Sequence, residues 1–281
     1  MAIDQRLYMM MCREYKRAPF SGPALFLGRQ RAELLALAQA QQVVRDTGLT
    51  PAELPADFDT RPNIPYCRTL NETNDEALVR LLGCDEVHAM DYSEYEGADI
   101  IHDLNDPIPE ELANRFGLIV DSGTIEHIFD TRQVMRNIGN MLKPGGRVIH
   151  FTPANNAMEH GFFQMSPTFF ADFYGENGFT DVDVWIVIQP RDCPPGKPLR
   201  MFQYDRKVFG GSNSVWSSTE DQIFLNVSAT KTATSTTDRI PVQFRYLLRY
   251  QEFKQGSAPY QFPLFLVRWN GADCDLVQVA Q

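Results

Sequence analysis

The chain has no CxxC pair among its five cysteines, Cys12, Cys67, Cys84, Cys193 and Cys274. Thiols scattered in this way give neither a zinc ribbon nor a disulfide framework and read as buried, reduced side chains. Nor is there a dense cluster of basic residues, since 26 Lys and Arg face 36 Asp and Glu for a net charge of −10. Nucleic-acid binding rests on neutralising phosphates, so this balance speaks against DNA or RNA and for a small-molecule or sugar acceptor. No apolar run approaches a membrane span, so no membrane partner is expected. The opening Met1-Ala2-Ile3-Asp4-Gln5-Arg6 lacks the cationic, apolar, small-residue order of a signal peptide, and a cytoplasmic location is expected. Internal repeats are absent.

What the sequence does contain is a series of short apolar runs, each closed by an acidic residue, a glycine or a proline. Val87–Met90 stops at Asp91, Ala98–Ile101 at His102-Asp103, Gly117–Val120 at Asp121, and Arg147–Phe151 follows Leu142-Lys143-Pro144-Gly145-Gly146. Runs of this length separated by helical patterns read as parallel strands buried on both faces. Pro23–Gly28 reads as the first strand and its turn, Arg31–Thr47 as a helix stopped by Gly48, and Asn74–Leu82 as a short helix capped by Asn74 and ended by Gly83. Asp106-Pro107 is expected to start a helix toward Arg115. Asp130 is expected to cap a helix over Thr131–Leu142, and Ser166-Pro167 to start one ending at Gly178. Val182–Ile188 and Gln222–Thr232 read as further strands. The link Asp91–Gly97 is too short for a helical crossover.

The fold expected is therefore α/β: a doubly wound, mostly parallel sheet with helices on both faces. Residues 1–22 hold an N-terminal amphipathic helix (Ile3–Arg17), 23–235 the α/β domain, and 236–281 an aromatic C-terminal extension. A Pro-rich insertion at 49–72 and a Pro/Gly/Ser-rich one at 190–220 interrupt the domain. The extension carries Phe244, Tyr246, Tyr250, Phe253, Tyr260, Phe262 and Phe265, which read as an added packed layer, a homo-oligomer contact or a substrate wall.

Phe116–Phe151, FGLIVDSGTIEHIFDTRQVMRNIGNMLKPGGRVIHF, resembles the second half of a class I S-adenosylmethionine (SAM) dependent methyltransferase of the type 11-like kind. A strand ending in Asp, a Glu-His pair, a helix and a Leu-Lys-Pro-Gly-Gly turn carry the likeness, which with Asp91 and Asp103 runs over 23–189. The resemblance implies a Rossmann-like methyltransferase fold with an antiparallel last strand, SAM as cofactor, and methyl transfer to an oxygen or nitrogen. It implies that Asp91, followed by Tyr92, accepts from the ribose hydroxyls. Asp103 and Leu104 meet the adenine, and Asp121 and Ser122 lie beside the reacting centre. Asp91 also reads as an ordinary turn residue and Asp121 as a helix cap.

The first turn departs from the family's alternating glycines: Gly28-Arg29-Gln30-Arg31-Ala32 keeps only the first. Gln30 and Ala32 are expected to narrow the site, and Arg29 or Arg31 to hold the methionine carboxylate. For catalysis His127, with Glu126 orienting it, is one candidate base, and His160 in the loop Thr152–Gln164 is another. Asn155, Asn156 and Gln164 in that loop are candidates for recognising hydroxyls or amides. Two alternatives stand beside methyl transfer: a non-catalytic partner or scaffold, and a metal-assisted reaction at Glu126-His127. Two adjacent donors do not make a metal site, so no metal ligand is assigned.

Overall fold

A computed structural model describes residues 2–190, 200–206, 220–247, 250, 264–269 and 274–279, the last two ranges as backbone only. Its centre is an eight-stranded sheet: β1 (Ala24–Leu27), β2 (Val87–Asp91), β3 (Ile100–Ile101), β4 (Phe116–Ser122), β5 (Leu142–Asn155), β6 (Thr180–Gln189), β7 (Arg200–Gln203) and β8 (Gln222–Thr230). The spatial order is β3-β2-β1-β4-β5-β8-β6-β7, with β7 and β8 antiparallel to their neighbours and the rest parallel. This is the doubly wound, mostly parallel architecture expected, antiparallel last strand included. A separate antiparallel hairpin joins β9 (Leu264–Trp269) to β10 (Cys274–Val279).

Strand alternation feeds two cores. Leu25, Leu27, Ile119 and Val148 face one side, with α4 (Thr131–Met141) and α5 (Pro167–Glu176). Ala24, Phe26, Leu118, Val120 and Ile149 face the other, with α1 (Gln5–Arg17), α2 (Leu37–Asp46) and α3 (Asp75–Arg80). The N-terminal helix is thus a flank: Asp4 caps it at the amides of Arg6 and Leu7, and the Tyr8 hydroxyl donates to the Leu78 carbonyl at 2.8 Å. Cys12, Cys67 and Cys84 are buried free thiols, and burial pushes Cys12 up to about 12 and Cys84 up to about 11. Cys193 lies outside the described residues.

Asn74 and Asp130 cap α3 and α4 as expected, accepting from the amides of Ala77 and Gln133. Four expectations need correcting. The helix after β1 begins at Leu37, not Arg31, because Arg31 bridges to Ala2 and Asn74 and Leu34 sits in the left-handed region at φ 57°. The helix expected from Asp106 is only a 3-10 turn at Glu110–Leu112. Pro107 and Pro109 restrict its start, and the amides of Asn114 and Arg115 donate instead to Asn140 and Met141. Ser166 precedes α5 without a side-chain cap bond. The insertion at 190–220 contributes β7, which extends the sheet beyond β6. Phe253, Tyr260 and Phe262 of the aromatic extension lie outside the described residues.

The Leu34 turn is held from a distance. Glu72, 4% exposed, accepts both arms of the Arg31 guanidinium at 2.7 and 2.6 Å and the Leu34 amide at 2.8 Å. Burial alone raises the Glu72 carboxyl, but these donors outweigh it and leave the group below its ordinary 4.5. A carboxyl depressed in the folded state stabilises above its unfolded pKa and loses that contribution as pH falls through the folded one. Glu72→Gln is expected to cost about 1–2 kcal/mol at pH 7, with the deficit shrinking below about pH 4.5, in urea melts of both proteins across pH.

Candidate functional site

Register aligns the carboxyl ends of the parallel strands. Ile101 pairs with Asp91, Met90 with Leu27, Leu27 with Asp121, and Asp121 with His150. Between β1 and β4 the chain order reverses, and in open α/β sheets such a switch point opens a crevice beyond the strand ends. Gly28 sits there at φ 71°, donating its amide to the Met90 carbonyl at 2.7 Å. A Cβ on Gly28 would lie 3.3 Å from Thr124 Oγ1 and 3.6 Å from both Asp91 Oδ2 and Gln30 Nε2. The backbone therefore requires glycine, while a Cβ would be tight only against the Thr124 hydroxyl.

The rest of the turn is occupied. Gln30, 5% exposed, folds its amide back to donate to Leu27 O at 3.1 Å and Gly28 O at 3.4 Å, while its Oε1 is buried without a partner. The Gln30 amide N–H donates to Asp75 Oδ2 at 2.9 Å. Arg29 reaches the fully buried Asp75 at 3.5 Å and the Gly97 carbonyl at 3.1 Å, and Arg31 is taken by Glu72. Both arginines are thus committed to internal acceptors, and Ala32 is buried in the core.

Along the β2–β3 edge, Asp91 is half-buried and its Oδ1 accepts the Tyr92 amide at 2.6 Å, while the Tyr92 side chain is exposed. Asp103 Oδ1 accepts from the Asn105 backbone and side chain, which hold its carboxyl below the usual range. Leu104 is buried, its carbonyl bonded by Asn137 Nδ2 at 3.0 Å.

On the other side of the switch point, Asp121 is fully buried and its roles are internal. Its Oδ1 accepts the amides of Thr124 and Ile125 at 2.9 and 3.3 Å, capping the 3-10 turn Ile125–His127, and its Oδ2 meets His150 Nδ1 at 2.7 Å. His150 Nε2 in turn meets the Tyr174 hydroxyl of α5 at 2.6 Å. Burial holds the Tyr174 phenol well above its ordinary value, so its O–H donates to Nε2 and Nδ1–H donates to Asp121. Sequence reasoning missed this relay. Ser122 is buried beside it with an unpartnered hydroxyl.

The Asp121 cap aims Glu126 and His127 at the loop after β5. Glu126 is fully buried. Its Oε2 accepts from Thr152 Oγ1 at 3.2 Å, and its Oε1 lies 3.5 Å from His160 Nε2, with neither of these two atoms in a hydrogen bond. The His127 and His160 rings stand 5.3 Å apart. Burial, then the charge of Asp121, raises the Glu126 carboxyl well above the carboxylate range. Burial lowers both imidazoles, and His160 lowers His127 further. The two candidate bases and their candidate orienting acid thus converge, though His160 is 33 residues beyond His127 in the chain. Phe129 and Phe162, each two residues beyond a histidine of the cluster, are exposed and perpendicular with ring centres 5.5 Å apart. Gln164 Oε1 accepts the Ala157 amide and Asn156 Nδ2 donates to the Asp221 carbonyl, so both serve the loop itself. A cavity of about 360 Å³ lies elsewhere, between α4, α5 and residues 237–243, and shares none of the candidate residues.

No family model and no curated protein matches the chain. Among solved structures it is similar to the CMeT domain of the citrinin polyketide synthase, at 10% identity and TM-score 0.41, over 81% of this chain and 52% of that one. It therefore spans about half the length of that protein. It is similar also to a SAM-dependent methyltransferase of Thermotoga maritima described as a possible histamine N-methyltransferase (12%, TM-score 0.40, 81% and 91%). A SAM-dependent methyltransferase of Archaeoglobus fulgidus is a third (10%, TM-score 0.41, 81% and 94%). Likeness at this level concerns architecture and leaves the reaction open.

Proposed function

We propose that the protein transfers a methyl group from SAM to an oxygen or nitrogen of a small molecule or sugar unit. The observation that carries this is the set of acidic side chains around the switch point, with Asp91 ending β2 and Asp103 just past β3 on one side, Glu126 in the turn after β4 on the other, and Gly28 between them. With Oδ1 of each already taken, by Tyr92 and by Asn105, the ribose hydroxyls and exocyclic amine of a nucleoside would donate to the Oδ2 atoms of Asp91 and Asp103. Arg29 and Arg31 are left out of this reading.

When bound, SAM supplies a methyl group on a cationic sulfur that is already a good leaving group. The protein's task is then to bring the acceptor close and in line. The aromatic rim of Phe129 and Phe162 gives an apolar wall for the acceptor, and the Glu126, His127 and His160 cluster gives it a polar floor. Imidazoles shifted downward are neutral at pH 7 and able to take a proton from an acceptor hydroxyl or amine.

Melting curves with S-adenosylhomocysteine or SAM test the reading. A ligand at about a hundred times its Kd adds about 2.7 kcal/mol, expected to raise Tm by about 5–10 °C. An unchanged Tm with both would leave the second reading, a non-catalytic scaffold, which the Gln30 amide lodged in the turn favours.

A further inference from the structure

The Glu126, His127 and His160 side chains carry more than proton transfer requires. Each offers one donor atom, and the three atoms lie within 4.8 Å of one another. Buried polar atoms are nearly always partnered, yet Glu126 Oε1 and His160 Nε2 face each other at 3.5 Å with no hydrogen bond to either. Among the described residues no lysine or arginine pairs with Glu126. Ionising the fully buried Glu126 close to Asp121 is costly, and a bound cation would offset that cost.

We infer that Glu126, His127 and His160 bind one divalent first-row transition-metal cation of the class that prefers imidazole, such as Zn²⁺ or Co²⁺. Donors about 2.1 Å from one cation stand about 3.0–3.5 Å from each other, so the Glu126–His160 pair is already at ligand spacing. The His127 donor atom lies within 4.8 Å of both, and its exposed side chain has room to turn toward them. Two imidazoles and one carboxylate suit zinc and its neighbours rather than Mg²⁺ or Ca²⁺, which favour all-oxygen shells.

The surroundings hold these ligands as a metal's outer contacts do. Thr152 Oγ1 fixes the Glu126 oxygen that points away from His160. The Phe163 amide donates to the Glu126 carbonyl at 3.2 Å, and a Cβ on Gly161 would come within 2.8 Å of that carbonyl. Glycine beside His160 is what lets the loop close onto the Ile125–His127 turn and deliver the second imidazole. Three ligands leave positions open toward the aromatic rim, as catalytic rather than structural metal sites do. The inference rests on the reading of this cluster as the acceptor side of the crevice and replaces the imidazoles as bases there by a metal-held acceptor, yet its test stands apart from donor binding.

The experiment uses the full chain, free of any tag, stripped with chelator and dialysed. Titration with Co²⁺ followed by its visible absorption, and with Zn²⁺ by calorimetry, is expected to give one site per chain. His160→Ala and Glu126→Gln are expected to weaken binding at least 100-fold, while His88→Gln, in a separate surface cluster, leaves it unchanged. The melting shift with S-adenosylhomocysteine is expected to persist in His160→Ala. No saturable binding, or equal affinity in wild type and His160→Ala, overturns the inference. If Glu126→Gln does not fold, His160→Ala decides alone, its half-exposed side chain making it the milder change. One-to-one cobalt binding without any response to S-adenosylhomocysteine would uphold the metal site and reject methyl transfer.

Discussion

Replacing His150 by Leu is expected to lower stability by about 3–5 kcal/mol, the largest loss from any single substitution considered for this protein. The volume is nearly conserved, so the cost is not mainly that of a cavity. It arises because Asp121 has no exposure and relies on His150 Nδ1–H at 2.7 Å, so its carboxylate would be left buried and half-satisfied. The Tyr174 hydroxyl, bonded to the other ring nitrogen, would lose its partner as well. At about 2–4 °C per kcal/mol the melting point should fall by about 10 °C. Tyr174→Phe removes only the distal link and is expected to cost about 1 kcal/mol. Adding Asp121→Asn to His150→Leu should restore a large part of the loss, since the uncompensated charge is gone; a double variant no more stable than the single one would show that packing, not charge, is at stake.

Cofactor affinity should respond most to Asp91. Its Oδ2 faces the Gly28 turn and is the acceptor left for a ribose hydroxyl once Tyr92 has taken Oδ1. Asp91→Ala is expected to weaken S-adenosylhomocysteine binding about 10- to 100-fold in calorimetry, the worth of one or two charge-assisted hydrogen bonds. Half-buried and at the end of its strand, Asp91 supports little else, so the melting point without ligand should stay near that of the wild type. Full affinity in Asp91→Ala would move the nucleoside away from this edge of the sheet.

The sheet was legible where independent signals agree. From Phe116 to Phe151, a closed apolar run, the Asp130 cap and the stripe of Val134, Ile138 and Met141 all specify strand, helix and strand, and the structure forms them. The start of α2 was not legible, because Leu34 is held in a left-handed turn by Glu72, a residue 38 positions away. The convergence of Glu126, His127 and His160 depends on Gly161 letting a loop approach a backbone, which no local pattern encodes. His150 was missed for a related reason. Within Val148-Ile149-His150-Phe151 it reads as one more strand residue, and its partners come from 29 and 24 positions away. The usable signal was there: a lone imidazole on the inward side of an alternating strand must find a donor or acceptor somewhere.

The placing of β8 between β5 and β6 dictates when the sheet can close. β6 has only β7 beside it until Gln222–Thr230 has been made, so a nascent chain emerging from the ribosome carries β5 with a bare edge and β6 without its inner neighbour. Val184 and Val227, buried side by side in the finished sheet, cannot meet during that interval. Synthesis therefore runs well past the residues of the crevice before the protein can become native, and this delay is the period in which chaperone engagement or misassociation would act.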